Sequence, residues 1–322
     1  SHLSPLSHLS PLSPLSHLSP LSPLSPLSHL SRLPPMSRAY LALAAICIIW
    51  GTTYTAIKLA VRDFPPFMLV GIRQTSAGLL LLGLAIASGK TAVPDRKYLL
   101  RQTVTGLATI TGGNGFITWG MQYVSSGVAS IIGSLTPVVV VLINLGWRGT
   151  ERINARVIAG VALGFGGLAL IFHEGWQDFL KPEYRWGIAG CFASCFTWSL
   201  GTVMAKRWNS SDVSPLMNAG LQITAGGLGG LVLSALFDQS HTINHTTEGW
   251  FSVIYLITIG SALAFTLYMY ALKHLSATVS SLYTYINPSV AIILGWALLG
   301  ESLSPAEGIG MAVTIAGVWL VN

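Results

Sequence analysis

The sequence carries one apolar pattern twice, and this duplication constrains the fold more than any single motif does. Five apolar stretches occupy residues 39–172, and five more occupy residues 186–321. A duplicated unit with an odd number of membrane spans must lie in the bilayer in two opposite orientations, as in many alternating-access carriers. Landmark residues recur at a shift of 148 to 151 positions, and the pairs are Trp50 and Trp198, Lys58 and Lys206, Pro66 and Pro215, Gly78 and Gly227, Ser125 and Ser276, Pro137 and Pro288, Glu151 and Glu301, Gly160 and Gly310, and Gly167 and Gly317.

The composition agrees with a membrane protein. The chain is 52% hydrophobic and 9% charged, whereas soluble proteins contain about 25% charged residues. The three cysteines lie inside apolar runs and suggest neither a disulfide framework nor a metal site. We therefore expect no metal ion and no cofactor, and we do not interpret the net charge of +6 as nucleic-acid affinity. The pattern predicts an all-α membrane protein with ten transmembrane helices, built from two inverted five-helix repeats.

Residues 1–35 differ from everything that follows. They consist mainly of eleven Ser-x-Leu triplets, six of which have proline in the middle, so they favour disordered chain over a helix. They lack the continuous apolar core of a signal peptide. Four histidines lie in them, and a weak metal-binding tail is the alternative interpretation. We predict a disordered low-complexity tail at 1–35, a first five-helix unit at 36–175 and a second at 183–322.

The loop charges predict how the spans are oriented. A helix needs about 20 apolar residues to cross the hydrocarbon core, and the predicted spans are 39–60, 67–88, 99–120, 125–146, 156–172, 186–205, 215–237, 250–272, 277–299 and 306–321. Loops on one side carry twelve Lys and Arg residues, and loops on the other side carry four. This excess places both termini in the cytoplasm, with Lys58 outside and Lys206 inside.

Aromatic residues near mid-span predict the walls of a central cavity. Trp50 and Tyr54 are spaced i, i+4 and share one face of the first span. Trp198 and Thr202 occupy the matching places on the sixth span. Both tryptophans lie far from the membrane interface, where tryptophan is usually found. Ordinary helix packing is the alternative interpretation.

Arg73 is the only charge clearly inside a predicted span. It lies about 9 Å into its helix at 1.5 Å per residue. An intramembrane charge by default marks a functional site, and a guanidinium can grip a substrate carboxylate as a fork. The alternative is an arginine that reaches the headgroups or braces a neighbouring carbonyl. Its repeat partner, Gln222, is polar but uncharged, so charge recognition would be one-sided.

The ninth span supplies further candidates. Ser280, Tyr283 and Asn287 share one of its faces and are predicted to face the cavity. Pro137 and Pro288 fall mid-span, where a proline removes a backbone hydrogen bond and bends the helix. We interpret both prolines as hinges, with a static kink as the alternative.

Other residues leave two interpretations open. Trp119 and Tyr268 could line or gate the cavity, or belong to the interfacial aromatic belt. Glycine motifs at 160–164 and 226–230 let helices approach closely. We interpret them as packing within a monomer, with dimerisation as the alternative.

The acidic residues bear on energy coupling and on catalysis. All eleven fall in or next to loops, whereas ion-coupled carriers usually place a carboxylate near the membrane centre. This favours uncoupled or exchange-driven transport. A membrane enzyme would need paired acids or a His-acid site at the membrane face, and the sequence offers none. We therefore predict no catalytic residues and no enzyme.

Motifs in both units also resemble a known family. The resemblance rests on Trp50-Gly51-Thr52, Pro137, Gly149-Thr150-Glu151 and Gly160 to Gly167 in the first unit, and on Asn287-Pro288, Leu299-Gly300-Glu301 and Gly310 to Gly317 in the second. Over residues 36–322 the chain is similar to the EamA-type drug/metabolite transporters. The resemblance implies a multi-pass carrier of the bacterial inner membrane, often an exporter of amino acids or related metabolites. The first unit has Thr136 where the second has Asn287, so the two sites need not be symmetric.

These observations lead to one leading hypothesis. We predict an alternating-access exporter of small metabolites, above all amino acids, including apolar and aromatic ones. Aromatic walls would hold the side chain, while Arg73, Tyr283 and Asn287 would hold the zwitterion. The alternatives are a sugar-phosphate, nucleotide-sugar or drug exchanger, and a membrane-embedded transferase. The expected partners are a small-molecule substrate and the lipid bilayer, with no nucleic acid.

Overall fold

The computed structural model describes residues 33–89, 94–147, 153–173, 179–210, 212–238, 242–244, 246–299 and 304–321. Within these ranges every regular element is a helix. The Ser-x-Leu triplets up to residue 32 lie outside the described residues, as do Glu151 and Glu301.

The helices follow the duplicated pattern of the sequence. In chain order they are α1 (Pro35–Ala60), α2 (Pro66–Ala87), α3 (Arg96–Gly106), α4 (Gly115–Gly120), α5 (Ser126–Gly133), α6 (Thr136–Gly146), α7 (Ala155–Ile171), α8 (Arg185–Arg207), α9 (Pro215–Phe237), α10 (Thr247–Tyr255), α11 (Ala264–His274), α12 (Ala277–Ser281), α13 (Tyr283–Leu299) and α14 (Pro305–Val321). Two π-helical segments join helices: π1 (Leu107–Asn114) joins α3 to α4, and π2 (Leu256–Leu263) joins α10 to α11. A 3-10 turn, Pro182–Tyr184, precedes α8.

The described part of the chain contains six helical segments that are long and apolar enough to cross a membrane. They are Pro35–Ala60, Pro66–Ala87, Val128–Gly146, Pro182–Arg207, Pro215–Phe237 and Thr247–His274. Two shorter apolar helices, α7 and α14, have 17 residues each. The chain is therefore an all-α membrane protein, and the count of ten spans stays a prediction.

Several recurring landmarks begin helices at matching places. Ser125 precedes α5, and its hydroxyl accepts a hydrogen bond from the backbone N–H of Val128 at 3.3 Å. Ser276 precedes α12 and accepts from Val279 N–H at 3.0 Å. Each hydroxyl satisfies one of the backbone donors that a helix leaves unpaired at its start. The duplication therefore extends to the residues that begin these helices.

Contacts between the two halves come in reciprocal pairs. Helix α1 packs against π2 and α11, while its counterpart α8 packs against π1 and α4. Helix α2 packs along α9, and α7 packs along α14. Such reciprocity is what a two-fold relation between two similar units produces.

Glycines bring α7 and α14 into close contact. A Cβ atom added at Gly160 would lie 2.7 Å from the carbonyl oxygen of Gly317, and one at Gly310 would lie 2.6 Å from that of Gly167. These two contacts are repeat equivalents of each other. Gly230 likewise approaches the backbone of Gly71, with 3.1 Å from its added Cβ to the amide nitrogen. The glycine motifs therefore pack within the chain, as the sequence analysis favoured.

The two predicted hinge prolines occupy different helical positions. The helix breaks between Gly133 and Thr136, so Pro137 lies in the first turn of α6, where its missing N–H removes no hydrogen bond. The prediction of a mid-helix bend at Pro137 was wrong in this respect, because the interruption precedes the proline. Pro288 does lie inside a helix, α13, and the break in the same span falls before that helix, at Leu282. Both spans are interrupted, but not at equivalent residues.

The glycine contacts lead to a stability prediction. Gly160→Val should destabilise the protein by roughly 1–3 kcal/mol, because the added atoms would overlap the backbone of α14. Gly166→Val, in the same helix, should stay within about 0.5 kcal/mol, since nothing lies within 4 Å of a Cβ added there. Thermal unfolding of the detergent-purified variants measures both effects. An equal loss of stability in the two variants would contradict the assignment of Gly160 to a tight interface.

Candidate substrate cavity

A cavity of about 110 Å³ lies inside the helix bundle. Residues of α1, α2, π1, α4, α5, α6, α8, π2, α11 and α13 line it, so both halves of the chain contribute. Its walls are mostly apolar and aromatic, with a few polar groups, as is usual for small-molecule sites.

Aromatic rings form one side of the cavity. The repeat-related pair Trp50 and Trp198 meet edge to face, with ring centroids 5.6 Å apart. Tyr283 lies 4.6 Å from Trp50, and Tyr268 lies 6.0 Å from Trp198. Edge-to-face aromatic contacts of this kind add stability beyond the area they bury. The structure thus brings the two predicted tryptophans together at the centre of the fold.

The two tryptophans differ in their hydrogen bonds. Trp50 Nε1 donates to the carbonyl oxygen of Gly260 in π2 at 3.0 Å. Trp198 Nε1 is buried, and among the described residues it has no acceptor. Identical side chains at equivalent positions therefore leave one N–H paired and the other unpaired.

Arg73 is buried, with 2% of its surface exposed. Its Nη2 donates to Asn114 Oδ1 at 2.7 Å, and its Nη1 donates to Ser261 Oγ at 3.4 Å. Its Nε has no partner among the described residues. Neither partner carries a charge, and no Asp or Glu is among the residues that line the cavity in the described part of the chain. The guanidinium is thus a buried cation held only by neutral groups.

The two π-helical segments supply the partners of Arg73 and Trp50. Asn114 is the last residue of π1, and Ser261 and Gly260 lie in π2. Gly113, also in π1, accepts a hydrogen bond from Ser194 Oγ at 2.6 Å through its carbonyl oxygen. The wider turn of a π-helix shifts backbone groups out of the regular hydrogen-bond ladder, and such turns are frequent at functional sites. These segments were not predicted, and the one feature of the sequence that marks π1 is its pair of glycines, Gly112 and Gly113.

The remaining predicted residues lie at the cavity, behind its wall or elsewhere. Tyr283 and Asn287 line the cavity. In the amide orientation that satisfies it, Asn287 donates to the carbonyl oxygens of Tyr283, at 2.9 Å, and of Cys47, at 3.0 Å. Thr202 and Tyr268 lie behind the wall, with their hydroxyls 2.6 Å apart, and neither lines the cavity.

Three further predictions lie elsewhere. Ser280 is buried but does not line the cavity. The side chain of Tyr54 lies outside what the structure describes. Trp119 lines a second, more polar cavity of about 390 Å³, together with Arg62, Asp63 and Asp238. We call this second cavity the vestibule, and its residues lie at helix ends and in loops.

Sequence reasoning missed Gln74, which lines the cavity beside Arg73. Gln74 is buried, and its Oε1 has no partner among the described residues. Its repeat equivalent is Ile223, a core residue with no exposed surface. A polar residue in the first unit opposite an apolar one in the second is the sequence feature that could have pointed to Gln74.

A polytopic helical protein with matching halves around a buried aromatic and polar cavity belongs to the class of membrane transport proteins. The family model of the EamA-like transporter family matches residues 37–173 and 185–322. The chain belongs to this family. The predicted family is therefore confirmed, and so is the prediction that the protein is a transporter rather than an enzyme.

Individual relatives agree with this membership. YedA of Escherichia coli K12, described as an uncharacterized inner membrane transporter, is 31% identical over 284 residues, which cover 87% of this chain and 89% of YedA. The transporter YvbV of Bacillus subtilis 168 is 28% identical over 296 residues, covering 89% and 92% of the two chains. One crystal structure matches with a TM-score of 0.71 at 21% identity, over 88% of this chain and 96% of that one. This last likeness concerns the fold alone.

The unequal hydrogen bonds of the two tryptophans predict unequal stability effects. Trp50→Phe would leave the Gly260 carbonyl without its donor, which costs about 1–3 kcal/mol beyond the lost contact area. Trp198→Phe removes an N–H that has no acceptor among the described residues, so this variant loses only buried contact area. Thermal unfolding should therefore rank Trp50→Phe as the less stable variant. The reverse order, or no difference, would contradict the assigned hydrogen bond.

Proposed function

We propose that this transporter exports small metabolites that carry a carboxylate, above all amino acids with apolar or aromatic side chains. The observation that carries the proposal is the buried guanidinium of Arg73. A buried charge without a counter-charge is expensive in a membrane interior. A substrate carboxylate would supply that counter-charge and would accept from the unpaired Nε.

The walls of the cavity suit the rest of such a substrate. Trp50, Trp198 and Tyr283 present aromatic surface on which an apolar side chain can pack. The volume of about 110 Å³ is below the roughly 300–1,000 Å³ of common ligand pockets. This favours a small substrate and a cavity that widens during the transport cycle.

We also propose ten spans arranged as two inverted repeats, at 36–175 and 183–322, with both termini in the cytoplasm. The reciprocal packing of α2 with α9 and of α7 with α14 supports the two-fold relation. The loop charges support the orientation. The inner membrane location printed for YedA supports the same membrane for this chain.

Exchange or uncoupled transport fits the cavity better than coupling through a central acid. Among the described residues that line the cavity, Arg73 is the only charged one. The same fact argues against a sugar-phosphate or nucleotide-sugar exchanger, because a phosphate carries more charge than one guanidinium neutralises.

Flux into proteoliposomes tests the proposal. Labelled amino acids should be transported by the wild type, and Arg73→Met should lower transport by roughly 10- to 100-fold through loss of charge-assisted hydrogen bonds. The stability of Arg73→Met should not fall, since the variant no longer buries a charge. Arg62→Met, at the exposed vestibule, serves as the matched control. The absence of any amino-acid transport by the wild type would refute the proposal, and acceleration by a proton gradient would refute uncoupled transport.

The two repeat-related lysines support alternating access. Lys206 Nζ donates to the carbonyl oxygens of Leu272 at 2.8 Å and of Leu275 at 2.6 Å, at the C-terminal end of α11. This ties α8 to α11 at the predicted cytoplasmic end, where a cation also interacts favourably with the helix dipole. Lys58 is exposed at the opposite end, and no such bond is found for it among the described residues. We call the contacts of Lys206 with α11 the latch. This latch is formed, while the equivalent contact of Lys58 is not found among the described residues, as expected of a carrier that is open to one side at a time.

Removal of the latch should change access to the cavity. Lys206→Met should increase labelling of Cys195, which lines the cavity, by an impermeant maleimide added at the cytoplasmic side. The experiment uses a Cys47→Ala, Cys191→Ala background and compares inside-out with right-side-out vesicles. Lys58→Met is the matched control and should leave cytoplasmic labelling unchanged. Equal labelling of the two variants would contradict the latch.

A further inference from the structure

We propose that Gln74 binds the ammonium group of the substrate, so that the cavity selects amino acids over carboxylates without an amine. The inference rests on the proposed function and deepens it, because it assigns the second charged group of the substrate to a residue of this chain. Gln74 follows Arg73 directly on α2, and both side chains line the cavity. Successive helix residues point about 100° apart, so the two present different polar groups to one space.

The cavity has three unpaired buried side-chain atoms among the described residues. They are Arg73 Nε, Trp198 Nε1 and Gln74 Oε1. The first two can only donate hydrogen bonds, and the third can only accept. A carboxylate only accepts and an ammonium only donates. Two free donors and one free acceptor are therefore the complement of an amino-acid zwitterion.

Two backbone acceptors at the cavity are already in use. The carbonyl of Gly260 accepts from Trp50, and that of Gly113 accepts from Ser194. Asn287 donates its amide hydrogens to two backbone carbonyls, which fixes its orientation. Gln74 Oε1 is thus the buried acceptor at the cavity wall that has no partner among the described residues.

The scaffold does not need a polar residue at this position. The equivalent position in the second unit is Ile223, which is fully buried. A buried acceptor without a partner destabilises a protein, because the group loses its hydrogen bonds to water without replacement. Gln222, the repeat partner of Arg73, also has an unpaired oxygen, but its NH2 donates to Gln102 at 2.7 Å and it does not line the cavity. Gln74 combines an unpaired acceptor with a position at the cavity wall.

Two ligands with the same carbon skeleton test the inference. Isothermal titration of the purified full-length carrier would compare leucine with 4-methylpentanoate, which lacks only the ammonium group. The wild type should bind leucine more tightly. Gln74→Met, which keeps the side-chain length, should weaken leucine binding by roughly 10- to 100-fold and change 4-methylpentanoate binding less than about threefold. Gln74→Glu keeps an acceptor and should retain the preference for leucine.

Gln222→Met is the matched control. It also removes a buried amide from the corresponding helix, so it should lower the unfolding temperature without changing the ratio of the two affinities. An unchanged ratio in Gln74→Met would overturn the inference. An equal loss for both ligands would also overturn it, because the carboxamide would then donate to the carboxylate. If the wild type binds and transports neither compound, the proposed function itself fails.

Discussion

Close packing of helices without large side chains between them is the constraint on which the rest of the structure depends. In lipid, apolar surface gains little from helix association, so helices associate through tight contact. The contacts of Gly160 with Gly317 and of Gly167 with Gly310 provide that contact on one side of the fold. Each contact is the repeat equivalent of the other. The walls of the cavity likewise come from both halves of the chain.

Because the family model matches the chain twice, each difference between equivalent residues of the two units is informative. A difference between equivalent residues is not required by the shared fold. The first unit has Arg73 where the second has the neutral Gln222, and Gln74 where the second has the apolar Ile223. Two of the three unpaired buried polar atoms at the described cavity wall therefore belong to the first unit. The two tryptophans are identical in sequence but not in hydrogen bonding. Recognition of the substrate would thus be concentrated on α2, while the second unit contributes mainly aromatic surface.

Much of the scaffold could be predicted from the sequence, because bilayer thickness and helix periodicity leave few choices. The equivalent mid-span positions of Trp50 and Trp198 predicted that both would face one central region. The depth of Arg73 predicted a charge inside its span, but left open whether the side chain stays buried or reaches the headgroups. The π-helical segments could not be predicted, since one extra residue in a turn hardly changes an apolar pattern. The sequence left Trp119 open between the central cavity and the interfacial belt, and the structure places it at the vestibule. Helix periodicity could not decide this, because it gives a face but not the depth at which neighbouring helices diverge. Gln74 escaped notice because an amide inside an apolar run can pair with any adjacent backbone, and only the side-chain contacts reveal that it does not.

The proposed roles of Arg73 and Gln74 together bear on the driving force. A plain carboxylate carries one negative charge, and its export down an inside-negative potential gains about 2.3 kcal/mol per 100 mV. A zwitterion carries no net charge, so the potential does no work on it and its own concentration gradient must drive export. An acceptor that selects the zwitterion would therefore make export depend on the internal amino-acid concentration. A carrier that only relieves an excess of amino acid inside the cell requires no coupling ion. The described lining of the cavity agrees with this, because it contains no carboxylate that could bind such an ion.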